Sequence, residues 1–155
     1  AWRQRYFPPE RSRLPAHLTL YHQLPGQALG TIRSRLEDYA RETPATRVSF
    51  SSLLQRQGFI GVRVEGEGLD ARKSELDALF AEQLRAQDRR PYHPHVTVTN
   101  LGSPREAARA YAELETGFQK WQGELLGLEL YHYRRGGGGG PWEHVGTYAF
   151  GASEL

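Results

Sequence analysis

The sequence predicts an α+β fold made of two related halves. Three observations carry that expectation: helix-period and strand-period segments alternate along the chain, the order helix, strand, helix, strand, strand occurs twice, and the strands include a hairpin. At 155 residues the chain fits one domain or two small lobes and can bury roughly 70% of its unfolded surface. Hydrophobic residues at 38% and charged residues at 25% exclude the disordered and membrane classes, and no apolar run approaches the ~18 residues of a spanning helix.

Residues 1–7 read as the end of a helix stopped by Pro8 and Pro9. Leu14 to His22 alternates like a strand and closes at Pro25 and Gly26. From Gln27 to Arg41, Leu29, Ile32, Leu36, Tyr39 and Ala40 recur at helical spacing, and Pro44 ends that helix. Strands over 47–54 and 59–65 join through Gln57 and Gly58 as a hairpin. Leu69 to Leu84 is the second long helix, with Leu76, Leu79, Phe80 and Leu84 on one face.

Asp88 to Arg90 leads to Pro91 and a strand over 95–101. Ser103 and Pro104 then open a helix to Phe118, as N-cap and first helical residue. Strands over 123–133 and 143–150 close the chain. The glycine run 136–140 between them is a loop without the following helix or the Lys or Ser/Thr of a phosphate cradle. The two repeats divide at about 1–66 and 67–155, within one bilobal domain.

The absence of cysteine removes disulfides, thiolate chemistry and cysteine-held zinc. The start shows no charged-then-apolar signal pattern, which favours the cytoplasm, although the chain opens inside helix pattern and a trimmed terminus would read alike. A formal charge of +2 with a pI of about 9.1, and basic clusters at Arg11/Arg13, Arg89/Arg90 and Arg134/Arg135, point to an anionic partner. The first two clusters sit just upstream of the histidine motifs.

Those motifs are His17-Leu18-Thr19-Leu20 and His95-Val96-Thr97-Val98, in matching slots of the repeat. Strand alternation puts His17, Thr19 and Tyr21 on one face and Leu18 and Leu20 on the other; likewise His95, Thr97 and Thr99 share a face while Val96 and Val98 enter the core. One His-x-Thr is ordinarily a surface feature. Two in equivalent places, each preceded by basic residues and a proline (Arg11, Arg13, Pro15; Arg89, Arg90, Pro94), would converge on one cleft if the halves pack about a pseudo-twofold axis.

Phosphodiester cleavage needs one proton taken from the attacking oxygen and one given to the leaving oxygen, on opposite sides of phosphorus. Two imidazoles, with an unperturbed pKa of about 6.5, can do both, each role contributing about 10²- to 10⁴-fold. Thr19 and Thr97 would donate to the non-bridging oxygens. Which histidine is base and which is acid stays open, since a pseudo-symmetric site admits substrate in either direction. No metal or other cofactor is required.

Over nearly the whole chain, these paired motifs resemble the 2H phosphoesterase superfamily, in particular its 2′-5′ RNA ligase-like branch. The resemblance implies two pseudo-symmetric α+β lobes whose antiparallel sheets flank a central groove, with helices outside. It also implies action on 2′,3′-cyclic phosphates or 2′-5′ phosphodiesters of an RNA end or nucleotide, with ligation as the reverse reaction and no membrane or obligate protein partner. By that resemblance the catalytic set maps onto His17, Thr19, His95 and Thr97. Some members carry a basic residue just after the second motif; Thr99-Asn100-Leu101 here is neutral.

Tyr21, Tyr92, Thr99 and Arg90 adjoin the motifs and are candidate substrate contacts, the tyrosines by stacking a base. Phe50, Tyr131 and Tyr133 read as packing residues, and His22, His132 and His144 as structural or surface residues. His93 shares the His95 side if the strand reaches it. Two rival functions remain: a groove that binds a nucleotide or RNA end without turnover, and a metal site drawn from His17, His93 and His95. The second has the least support, because no carboxylate stands near in a ligand-like pattern.

Overall fold

The computed structural model describes residues 1–10, 14–134 and 142–151. Along the chain run α1 (Trp2–Tyr6), α2 (Leu29–Glu42), β1 (Thr46–Arg56), β2 (Phe59–Glu65), α3 (Glu67–Leu79), β3 (His95–Asn100), α4 (Pro104–Gly117), β4 (Trp121–Leu125), β5 (Gly127–Tyr133) and β6 (Trp142–Ala149), with a 3₁₀ turn at Gly26–Ala28 before α2. This is the expected mixture of helices and antiparallel sheets. Boundaries fall where local chemistry sets them: Ser103 caps α4 by accepting the Glu106 N–H at 3.4 Å, with Pro104 as its first residue.

Three elements differ from expectation. The strand expected over 123–133 divides into β4, in the four-stranded sheet, and β5, which pairs with β6. The segment 14–22 forms no strand; it makes one isolated antiparallel bridge, Leu18 to Val96. Pro15 offers no N–H to a ladder, and past Leu20 the chain passes from one compact unit to the other. The second long helix ends at Leu79, with Phe80 to Gln83 in turns. Arg11, Arg13, Arg135 and the glycine run 136–140 lie outside the described residues.

The chain clusters into two compact units that interleave along the sequence and do not follow the halves 1–66 and 67–155. The first comprises Ala1–Leu20, Val48–Glu67 and Pro91–Gly123; the second comprises Tyr21–Arg47, Gly68–Arg90 and Glu124–Leu155.

In the first unit an antiparallel sheet runs in the order β3-β2-β1-β4. Its inward residues Ile60, Val62 and Val98 pack on Ala107, Ala110 and Leu114 of α4, with Trp2 and Tyr6 of α1 against the same cluster. The β1–β2 turn places Gln57 at φ 53. A Cβ on Gly58 would come within 2.7 Å of the Gly102 backbone nitrogen, and the Leu101 N–H donates to the Gly58 carbonyl at 2.8 Å. Only glycine permits that approach, which ties the hairpin turn to the end of β3.

In the second unit β5 pairs with β6, and α2 packs on both. Ile32, Leu36 and Ala40 of α2 and Leu69 and Leu76 of α3 are buried, and Arg35 donates to the Leu79 carbonyl at 2.8 Å. Among the described residues, no helix is long and apolar enough to cross a membrane.

Candidate active site

Both histidine motifs belong to the first compact unit. Their relation follows from one pairing. Leu18 opposes Val96, so the antiparallel register sets His17 opposite Thr97 and Thr19 opposite His95. Leu18 and Val96 share the face of Val62, which pairs with Val96 and is buried; the two histidines and two threonines leave the other face. Directly opposed Cβ atoms lie about 4.5–5.5 Å apart, and the diagonal from His17 to His95 is about 7–8 Å. That span leaves room for one phosphoryl group with a hydrogen bond at either end.

The juxtaposition of the motifs is that of two neighbouring segments of one unit. It does not depend on a cleft between sequence repeats, because an antiparallel pair carries its own local twofold axis.

The two imidazoles are held alike. His17 Nδ1 lies 2.7 Å from the Pro15 carbonyl, and His95 Nδ1 lies 2.8 Å from the His93 carbonyl. A carbonyl only accepts, so Nδ1 carries the hydrogen in both rings and Nε2 is left for chemistry. His93 therefore contributes its backbone oxygen, and β3 begins after it. The His95 ring also meets the Phe59 ring edge to face, centroids 5.2 Å apart. Phe59 can sit there because Gly61 has no side chain: a Cβ on Gly61 would approach the Phe59 Cζ to 2.6 Å.

The threonines are anchored through their backbones. The Tyr92 hydroxyl donates to the Thr19 carbonyl at 2.9 Å, and the Arg3 guanidinium donates to the Thr97 carbonyl at 2.7 Å. Arg3 also donates to the Leu14 carbonyl at 2.7 Å, so it bridges the two motif-bearing segments. Burial lowers the Arg3 pKa from its ordinary value. The Thr19 and Thr97 hydroxyls bond to no described residue.

The remaining candidates are placed differently. Thr99 does not share the His95 face. A bulge makes Ile60 oppose Thr99 while Gly61 opposes Thr97, which turns Thr99 inward; it is fully buried and its hydroxyl donates to the Tyr6 carbonyl at 2.8 Å. Asn100, opposite Phe59, resumes the outer face. Tyr92 spends its hydroxyl on Thr19. Tyr21 belongs to the second unit, where its hydroxyl donates to Asp77 at 2.6 Å and its ring meets Phe80 and the Lys73 ammonium. Arg90, also in the second unit, is exposed.

His22 in the second unit is structural: its N–H and Nδ1 both meet Asp88 at 2.9 Å. Burial would raise the Asp88 carboxyl, but hydrogen bonds from His22 and from the Gln23 N–H outweigh it and hold the pKa below the usual range. His144 bonds Glu129 at 2.6 Å, and His132 is exposed on β5.

Two residues of the site escaped the sequence reading, Phe59 and Arg63. Arg63 is the direct β2 partner of His95. Neither could be found without knowing that β2 neighbours β3. A cavity of about 390 Å³ near Trp2 and Trp121 is lined by Arg3, Phe50, Val62, Val96, Thr97 and Val98.

Two imidazoles and two hydroxyls thus leave one sheet face as a block, each ring held by the carbonyl two residues upstream. A family profile described as the 2′-5′ RNA ligase superfamily matches residues 1–137, and the chain belongs to that superfamily of 2H phosphoesterases. Among solved structures it is similar to TT0787 of Thermus thermophilus, at a TM-score of 0.61 and 16% identity over 91% of this chain and 82% of that one. It is also similar to E. coli LigT complexed with 3′-AMP, at a TM-score of 0.60 and 18% identity over 96% of this chain and 87% of the other. At these identities the likeness is one of fold. No curated protein matches the sequence.

Proposed function

We propose that this chain is a metal-independent phosphoesterase that hydrolyses a 2′,3′-cyclic phosphate or 2′-5′ phosphodiester of RNA or a nucleotide, and that can run the 2′-5′ ligation in reverse. The reading rests above all on the matched imidazoles: His17 and His95 each give Nδ1–H to a backbone carbonyl and keep Nε2 for proton transfer. Water attacks phosphorus and yields a proton to one Nε2. The other imidazole, protonated, gives its Nε2 proton to the ribose oxygen as the P–O bond breaks. The products are a phosphomonoester and a free hydroxyl.

Thr19 and Thr97 donate to the non-bridging oxygens as their charge grows. Both proton transfers are covered by imidazole, so the scheme assigns no step to a metal. The 3′-AMP bound to LigT supports a nucleotide as the class of ligand.

The test is hydrolysis of 2′,3′-cyclic nucleotides and 2′-5′ dinucleotides in excess chelator. His17→Ala and His95→Ala should each lose about 10²- to 10⁴-fold in kcat while keeping the wild-type circular dichroism spectrum. Near-normal rates in either variant overturn the scheme. Tight binding of these compounds without turnover by the wild-type protein favours a binding module.

A further inference from the structure

The sheet face that carries the motif block continues onto β2 and β1. Arg63 lies opposite His95 on one side and Ser52 on the other; in the next row Gly61 lies between Thr97 and Leu54. Opposed residues of a ladder leave the same face, so the Arg63 and His95 side chains start about 5 Å apart. Arg63 is exposed and forms no hydrogen bond or ion pair with any described residue.

A phosphodiester is anionic and gains negative charge on its non-bridging oxygens as a fifth oxygen approaches. The threonines offer neutral donors, and the imidazoles are occupied with protons. Of the groups in the ladder rows that hold the block, Arg63 alone carries a permanent positive charge. Its planar guanidinium presents paired N–H groups that match two phosphate oxygens. Gly61, beside it, has no side chain, and the Phe59 ring lies over it against His95. Glu65, two residues along β2, pairs with Ser49 one row further from the block.

We propose that Arg63 is the cation that grips the substrate phosphate on the His95 side. This rests on the preceding reading that an anionic phosphate ester occupies the block.

The experiment measures 3′-AMP binding by calorimetry and 2′,3′-cyclic AMP hydrolysis for wild type, Arg63→Ala, Arg63→Lys and Arg109→Ala. Arg109 is exposed on α4, which covers the other face of the sheet, and controls for loss of one surface charge. Arg63→Ala should weaken 3′-AMP binding about 10- to 100-fold and lower kcat/KM at least as much. Arg63→Lys should recover part of the loss, and Arg109→Ala should match wild type.

Binding by Arg63→Ala within twofold of wild type overturns the inference, as does an equal loss in Arg109→Ala or a wild-type protein that does not bind 3′-AMP. Arg63-dependent binding with no hydrolysis by any form supports Arg63 and overturns the hydrolase reading. Hydrolysis lost in the histidine variants but normal in Arg63→Ala does the reverse.

Discussion

Replacing Arg3 by alanine should damage stability and catalysis together. Its guanidinium donates two hydrogen bonds of 2.7 Å, to Thr97 and Leu14, and lies 4.7 Å from the centre of the Phe7 ring. A charged hydrogen bond contributes about 1.5–3 kcal/mol net, and the lower end applies to a partly exposed group. A partly exposed cation–π contact adds about 0.5–1 kcal/mol. For the two bonds and the ring contact together the expected loss is about 3.5–4 kcal/mol, or a fall of about 2 M in the urea midpoint at a slope of about 2 kcal/mol per M. Because the two bonds join the motif-bearing segments, the register of the block should loosen as well. Misplacement by about 1 Å is enough to cost about 10²-fold in kcat.

Arg3→Lys keeps the charge but cannot span two carbonyls with a planar fork, so it should recover less than half of either loss. Urea unfolding followed by fluorescence, with cyclic-phosphate hydrolysis measured in parallel, tests both. A midpoint shift below about 0.3 M, or a lysine variant equal to wild type, refutes the bridging role. Lost stability with normal kcat would confine Arg3 to anchoring α1.

Gly61→Ala brings a methyl to within 2.6 Å of the Phe59 Cζ and must displace that ring from His95. The contact is of the kind that contributes about 0.5–1.5 kcal/mol, so kcat should fall about 3- to 10-fold with KM nearly constant; unchanged kinetics would show that the ring does not orient His95. Asp88→Asn tests the second unit. The folded pKa of Asp88 is depressed, so its contribution is complete above the unfolded value of about 3.9 and is lost as pH falls through the folded value. Substitution by Asn should cost about 2–3 kcal/mol at pH 7, and the gap to wild type should narrow only below about pH 4, as measured by thermal unfolding across pH. A gap independent of pH between about 2 and 7 would refute the linkage.

Local information in the sequence was sufficient for α1, α2 and α4, the β1–β2 hairpin and the parity of His95 to Val98. Each depends on spacing, capping or turn chemistry within a few residues. What failed depended on distant partners. Alternation over 14–22 made a strand plausible, yet only Leu18 finds a partner. Parity placed Thr99 beside Thr97, and a bulge set by pairing with β2 turned it inward. Tyr21 and Tyr92 adjoin the motifs in sequence, yet spacing alone did not show that their hydroxyls bond Asp77 and the Thr19 carbonyl. Arg63 was invisible because β2 and β3 are separated by α3 in sequence and meet only in the folded sheet.

Geometry at the block follows from a single register. In an antiparallel pair, a His-x-Thr segment can meet a second copy in three in-phase ways. With Leu18 opposite Pro94, the two histidines would face each other; with Leu18 opposite Val98, the two threonines would. Only Leu18 opposite Val96 gives each imidazole a hydroxyl from the other segment and sets the imidazoles on a diagonal, with space for phosphorus between them. A slip by one residue would send either the apolar or the polar set to the wrong face. The bridge is isolated, so the ladder alone cannot enforce this register. Arg3 and Tyr92 hold the Thr97 and Thr19 carbonyls, one on each segment, and thereby fix the spacing on which the proposed proton transfers depend.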